Sequence, residues 1–268
     1  MSGFTHLHVH SHYSLLDGLP KIGQLVDRAK ELGMDSIALT DHGNLYGAVE
    51  FLKEAMQKGV KPIIGAEIYL AFEGMEQKRP KIDDTIYHLV LLVKNQKGYE
   101  NLVSILTQGH LRGFYYKPRV DEDFLREHAE GLIALSGCLN GKIPRLLQSK
   151  KKKEAEATAL FYQEIFGEGN FYLELQRHVN ISAQKTTNQG VLELSEKLKI
   201  PVVATADSHY LSPQDSEAQD VLMLINTGAR PNDPDRLTLS QDDFSLKSAE
   251  DMEKLFSDVP EAIANTQR

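Results

Sequence analysis

The run Thr5-His6-Leu7-His8-Val9-His10-Ser11-His12, answered near the far end by Ala204-Thr205-Ala206-Asp207-Ser208-His209, decides how this chain is read. Side chains on a β-strand alternate between faces, so His8 and His10 project to one side with roots roughly 6–7 Å apart, and Asp207 and His209 do the same. That spacing suits one divalent cation or two neighbouring ones, whereas helical geometry would scatter the pairs. Imidazole and carboxylate together suit zinc, manganese or iron rather than calcium, which takes mainly oxygen ligands. The first reading is therefore a metal site.

Outward from these pairs, β-rich runs alternate with segments of helical period. Strands are expected at 3–10, 36–40, 62–70, 86–93, 131–136, 170–175 and 201–206,. Amphipathic stretches lie between many of them, at Ile22 to Leu32, Leu45 to Gln57, Ala155 to Phe166 and Ala183 to Leu198,. Such alternation implies a parallel sheet, and seven strands in this order fit a closed or nearly closed α/β barrel better than an open sheet. His10, Asp41, His42, Glu67, Cys138, Asp207 and His209 fall at or just past the C-terminal ends of expected strands, where barrels build active sites,. His88 falls inside its strand.

A chain of 268 residues with 41% hydrophobic composition can bury one large core,. Its single cysteine, Cys138, rules out an intramolecular disulfide, and no apolar run approaches the ~20 residues of a membrane span. With no secretory signal visible, a soluble, reducing, cytoplasmic setting is expected and no membrane partner. The net charge of −8 argues against gripping long stretches of nucleic acid by charge alone,. It leaves room for a small anionic substrate, because bound cations would reverse the field of a carboxylate-lined pocket. The turn-rich stretch from Asn226, with Gly228, Pro231 and Pro234, divides a barrel at 1–225 from a C-terminal extension at 226–268,. The last helical stretch opens near Asp258 and Pro260 with no stop signal before Arg268, so the chain is expected to continue into something longer. Lys150 to Lys153 reads as a solvated helix start, and Asp233 with Asp235 as a turn.

Seven ordered runs carry a resemblance. They are His6-Leu7-His8-Val9-His10-Ser11, Leu15-Leu16-Asp17-Gly18, Ala38-Leu39-Thr40-Asp41-His42-Gly43-Asn44, Pro62-Ile63-Ile64-Gly65-Ala66-Glu67, His88-Leu89-Val90-Leu91-Leu92, Leu135-Ser136-Gly137-Cys138 and Ala204-Thr205-Ala206-Asp207-Ser208-His209. Together they closely resemble the polymerase and histidinol phosphatase (PHP) domain, in the branch that begins the alpha subunit of bacterial replicative DNA polymerases. The likeness covers essentially the whole chain, including Gly113-Phe114-Tyr115-Tyr116-Lys117-Pro118-Arg119. A lone His-x-His would carry little weight; seven ordered motifs carry a great deal.

The resemblance implies a distorted seven-stranded (β/α)7 TIM-like barrel with two or three divalent ions on nine ligands: His8, His10, Asp17, His42, Glu67, His88, Cys138, Asp207 and His209. By likeness, one ion takes His8, His10, Glu67 and Asp207, Glu67 bridges to a second on His88 and Cys138, and a third takes Asp17, His42 and His209. Zinc is favoured by the Cys138 thiolate, with manganese or iron also compatible. The implied activity is a metal-dependent phosphoesterase, a 3′–5′ proofreading exonuclease acting on a DNA 3′ end through a hydroxide generated on the metals, with His8, His10, Glu67, Asp207 and His209 as catalytic residues. Polymerising aspartates of the family lie in the palm beyond this stretch. A second expectation is a mainly structural module, stiffened by its metals, that docks the remaining polymerase domains or a separate exonuclease subunit. A third is a free-standing phosphatase of the histidinol-phosphate type.

Other residues have blander readings beside the functional ones. Asp41 is expected to orient an imidazole rather than to ligate. His6, on the face of His8 and His10, is expected to be structural, and His12 to sit at the pocket rim. Glu174 and His178 form a secondary carboxylate-imidazole pair, while His110 and His128 look like surface residues. Phe114 to Arg119 suits either a single-stranded nucleic-acid contact or a loop packing its aromatics on the barrel.

Overall fold

A computed structural model describes residues 3–234 and 236–268; Asp235, half of the Asp233–Asp235 pair, lies outside the described residues. In chain order the elements are α1 (Ile22–Glu31), β1 (Ser36–Leu39), α2 (Ala48–Lys58), β2 (Lys61–Ala71), β3 (Ile86–Val93) and α3 (Gln96–Leu111). Then come β4 (Phe114–Tyr115), β5 (Lys117–Val120), α4 (Glu122–Glu127), β6 (Leu132–Leu135), α5 (Lys142–Gln148), α6 (Lys152–Phe166) and β7 (Phe171–Leu175). The chain closes with α7 (Ser182–Leu198), β8 (Val202–Ala204), α8 (Ser216–Thr227), α9 (Ala249–Leu255) and α10 (Pro260–Ala264). Asp233 accepts from the Arg230 amide at 2.8 Å, as expected of a turn.

The sheet is curled, with β1, β2, β3, β6, β7 and β8 paired in that order. The N-terminal segment fills the gap between its ends. Ala38 N donates to His6 O and Thr40 N to Val9 O on one side, and His10 N to Ser208 O and Ser208 N to His8 O on the other. The result is a distorted barrel of the seven expected strand positions, with the β4–β5 hairpin added beside β2.

Two expectations need correction. The sheet is not all parallel: β3 runs antiparallel to β2 and to β6. A parallel return needs a crossover of a dozen or more residues, usually a helix, and the stretch from 72 to 85 supplies only bends and turns,. The 3–10 segment is not a regular strand either, but makes single bridges at His6–Ile37 and Val9–Ser208. Leu7 joins Val90, Leu92, Leu135, Tyr172 and Val203 in the barrel interior, while His6 faces away, edge-on to Phe4 with Nε2 at 2.9 Å from the Lys247 carbonyl. Alternation therefore breaks between Leu7 and His8, and His6 does not share the face of His8 and His10.

Elsewhere the period of two holds and stacks the barrel in layers. Ala38, Val90, Tyr172 and Val203 form an apolar interior layer, whereas Ile68, Leu89, Leu91, Leu173, Leu175 and Ala204 point outward into a core covered by helices. The next interior positions along those strands are Thr40 and His42, Glu67, His88, Glu174 and Thr205. α9 and α10 cover the outside of β8: Phe256, Val259 and Ala262 share the outer core with Phe4, and the Asn265 amide donates to Val202 O at 2.7 Å. Among the described residues no helix is long and apolar enough to cross a membrane.

Candidate metal centre

The antiparallel sense of β3 explains why His88 lies inside its strand. In β2, Tyr69 pairs with His88 and Glu67 with Val90, so the start of β3 meets the end of β2 at the same mouth of the barrel. His88 Nδ1 then lies 3.0 Å from Glu67 Oε1. The Cys138 Sγ, arriving on the loop after β6, lies 3.9 Å from the same oxygen and 3.8 Å from His88 Nδ1.

Glu67 is the hub. Its Oε1 lies 3.3 Å from His8 Nε2, and its Oε2 lies 2.7 Å from His42 Nδ1 and 3.8 Å from His10 Nε2. Asp207 Oδ1 faces the pair from the other side, 3.2 Å from His8 Nε2 and 3.3 Å from His10 Nε2. Asp207 does not reach this place by strand period. It has a left-handed backbone, φ 52°, past the end of β8, an unusual conformation for a non-glycine residue at a site of concentrated function,. His209 turns back so that its Nδ1 meets the Asp207 carbonyl at 2.8 Å.

Asp17 comes from the loop after the N-terminal segment. A Cβ at Gly18 would lie 2.1 Å from Ser11 O, so only glycine lets this loop close on itself,. Leu19 N donates to His209 O at 2.9 Å, and Gln219 of α8 donates to Asp17 O at 3.1 Å. The Asp17 carboxylate thereby reaches His42 Nε2 at 2.9 Å and His209 Nε2 at 3.6 Å. All nine side chains named from the resemblance converge on one mouth of the barrel.

Hydrogen bonds fix which ring nitrogens face inward. His8 Nδ1 donates to Glu174 Oε1 at 2.7 Å; that carboxylate also accepts from Thr205, Gln176 and the Gly137 amide. His10 Nδ1 donates to Ser14 Oγ at 2.9 Å, because the Ser14 hydroxyl gives its own proton to Asp41 at 2.7 Å. In both rings Nε2 is left pointing at the carboxylates. Asp41 thus orients an imidazole through Ser14 rather than by touching it. Glu174 proves to be the partner of His8, not of His178, which stacks on Phe244 at 3.9 Å.

The donor set can be tested for a cation on its own geometry. His8 Nε2, His10 Nε2, His42 Nδ1 and Asp207 Oδ1 are buried and make no hydrogen bond. Buried polar atoms normally have partners. Groups of ligating atoms within 4.8 Å of one another form three overlapping sets: His8, His10 and Asp207; His10, His42 and His209; and His42, Glu67 and His88. The charges agree: burial alone would keep His8 neutral, but Asp207, Glu174 and Glu67 carry its pKa well above the ordinary value. Burial, opposed by Glu67 and Asp17, leaves His42 raised to about 10, and burial beside His42 and His209 depresses His10 to about 3. Burial followed by the Glu67 and Asp207 charges raises the Cys138 thiol, which holds its proton unless a cation takes its place. These are the demands of a cluster built for divalent ions, and the residues fit the group.

Sequence reading missed Ser14, Thr205 and Gln176, whose short polar side chains carry no local signal of their role. His110 is exposed, as expected, but also lines the mouth and meets Gly43 O at 3.0 Å. His12 packs on Tyr13 and does not line it. Within Phe114 to Arg119, Arg119 is not an available cation: it is 0% exposed and donates to the carbonyls of Gly113, Asp83, Met75 and Gln77.

Residues 6–178 match the PHP domain family. The chain is 46% identical over its full 268 residues to the DNA polymerase III subunit alpha of Borreliella burgdorferi and 46% identical over 266 residues to that of Treponema pallidum, in each case spanning 23% of the relative. It thus covers less than a quarter of their length. Among solved structures, a candidate metal-dependent phosphoesterase from Bifidobacterium adolescentis superposes with a TM-score of 0.50 at 14% identity, over 94% of this chain and 96% of the other, a likeness of fold.

Proposed function

This chain belongs to the PHP family, and from that premise we propose that it is the metal-dependent phosphoesterase module of a cytoplasmic DNA polymerase III alpha subunit, cutting phosphodiesters at DNA 3′ ends. The observation that carries the reading is the set of buried atoms, His8 Nε2, His10 Nε2, His42 Nδ1 and Asp207 Oδ1, that make no hydrogen bond and crowd one another and Glu67 at 2.7–3.8 Å beneath an open mouth. His8, His10, Glu67 and Asp207 would hold one ion, Glu67, His88 and Cys138 a second, and Asp17, His42 and His209 a third, with zinc, manganese or iron as the metal. Divalent cations there would supply activation of a water and neutralisation of phosphate charge. The chain's own work is to hold His8 and His10 in one tautomer through Glu174 and Ser14, and to keep Glu67 and Asp207 ionised, which the surrounding imidazoles favour although burial opposes it.

The test is hydrolysis of 3′-mismatched DNA by metal-loaded protein beside His8→Ala, Glu67→Ala and Asp207→Ala. Turnover is expected in the parent and abolished in each variant; undiminished activity in His8→Ala would sink the assignment. A structural, metal-stiffened module that docks polymerase domains or a separate exonuclease is the second reading, favoured by one fact: the ligating residues come from distant segments that a cation would cross-link. The open cavity of about 430 Å³ over the cluster favours hydrolysis, because structural metal sites are closed,.

A further inference from the structure

The β4–β5 hairpin stands over the cavity that leads to the cluster. Phe114 pairs with Pro118 and Tyr115 with Lys117, leaving Tyr116 alone at the tip with φ 59°, 73% exposed. Such a conformation costs a bulky residue energy and persists only where the surroundings enforce it. They do. Arg119 ties the hairpin base to the carbonyls of Gly113, Asp83, Met75 and Gln77, and a Cβ at Gly113 would lie 1.7 Å from Arg119 O. On the other flank, Gly43 leaves only 2.9 Å between an added Cβ and Pro118, so the hairpin is pressed against the loop that carries His42.

Lys117 is what this anchoring presents. It supplies the only lysine or arginine among the described residues lining the cavity, which otherwise holds Asp17, Glu67 and Asp207, and no ion pair occupies it among those residues. Its Nζ lies 5.4 Å from the centre of the Tyr69 ring, and that ring stacks on His42 at 5.8 Å and meets His88 edge-on at 5.3 Å. One aromatic ring therefore bridges the ammonium and the cluster. Tyr46, Phe114 and Tyr116 line the same mouth, 61%, 50% and 73% exposed. A fixed cation beside exposed aromatic rings is the arrangement that binds single-stranded nucleic acid, the charge taking a phosphate and the rings stacking on bases.

We propose that Lys117 binds the phosphate next to the one that is cut, and that Tyr116 and Phe114 stack on the bases of the same single strand, so that the hairpin makes the site specific for a polynucleotide end over a lone phosphate ester. This rests on the phosphoesterase reading above, but its test need not. The measurement is fluorescence anisotropy of a dye-labelled oligothymidylate of about ten nucleotides on the metal-loaded chain across a salt series. Lys117→Gln should weaken binding about tenfold and reduce the salt slope by about 0.7, one phosphate contact on a single strand, and Lys117→Arg should restore both. Tyr116→Ala should weaken binding of oligothymidylate and leave an abasic oligomer of equal length unaffected. Equal affinity and slope in Lys117→Gln, or no saturable binding by the parent, overturns the proposal. Binding with these properties in a chain that cuts nothing would support the strand contacts of Lys117 and Tyr116 and sink the phosphoesterase reading, together with the placing of Lys117 beside a cut phosphate.

Discussion

His8 gives its Nδ1 proton to Glu174 across 2.7 Å, and that single bond decides which nitrogen looks into the barrel. Glu174 touches no other member of the cluster, yet it fixes the tautomer and ring plane of a residue at its centre. Replacing it with glutamine would turn an amide N–H toward donors from His8, Thr205, Gln176 and the Gly137 amide. Glu174→Gln is expected to lower metal affinity roughly 10–100-fold while the fold persists. Metal titration followed by calorimetry checks it, and unchanged affinity would show that His8 needs no such partner.

Metal content is the simplest expectation. Protein purified without chelator should carry two or three transition-metal ions per chain, given the three overlapping ligand groups. Elemental analysis finding less than one ion per chain would remove the basis of the cluster assignment.

Removal of those ions should also loosen the fold. Glu67, Asp207 and His209 would be left as buried groups, and Asp17 and His42 as half-buried ones, without a cation between them,. A site loaded to about a thousand times its Kd adds about 4 kcal/mol, and a chain of this size shifts by roughly 2–4 °C per kcal/mol, so chelator should lower Tm by about 10 °C. An unchanged midpoint would mean that the barrel stands without its ions.

Arg119 offers a test far from the ions. Its guanidinium satisfies carbonyls from four residues in a dry site, and a carbonyl buried without a donor costs roughly 1–3 kcal/mol,. Arg119→Ala should destabilise by about 3–5 kcal/mol, read from urea unfolding. A loss under about 1 kcal/mol would show that water takes over those bonds.

His178 predicts a pH effect. Burial, only partly opposed by the Asp207 and Asp242 charges and reinforced by Lys247 and His209, lowers its pKa to about 4 from an ordinary 6.5. The unfolded chain then binds a proton that the fold refuses between those values, so stability falls as pH drops from 6.5 toward 4 and this loss is complete below that,. The gap corresponds to roughly 3 kcal/mol at most. His178→Phe, which keeps a ring against Phe244, should lose less Tm than the parent between about pH 7 and about pH 4.5 with chelator in both. Parallel losses would acquit His178.

What the sequence determined by itself was everything governed by local period and residue type. Alternation of two located the strands and their inward layer, and the motif runs named the acids, imidazoles and thiol at the strand ends. Asp207 and His88 mark where that reading stops. One reaches the cluster through a left-handed residue rather than a strand, and the other because β3 runs backwards. Strand direction depends on whether a connection can cross over, and a ring's tautomer depends on a residue such as Glu174, 166 positions away in sequence. Arg119, in a segment that suited either a nucleic-acid contact or a packed loop, became a staple for the same reason. Which charges end up buried is set by the packing of distant segments, and only the tertiary structure decides that.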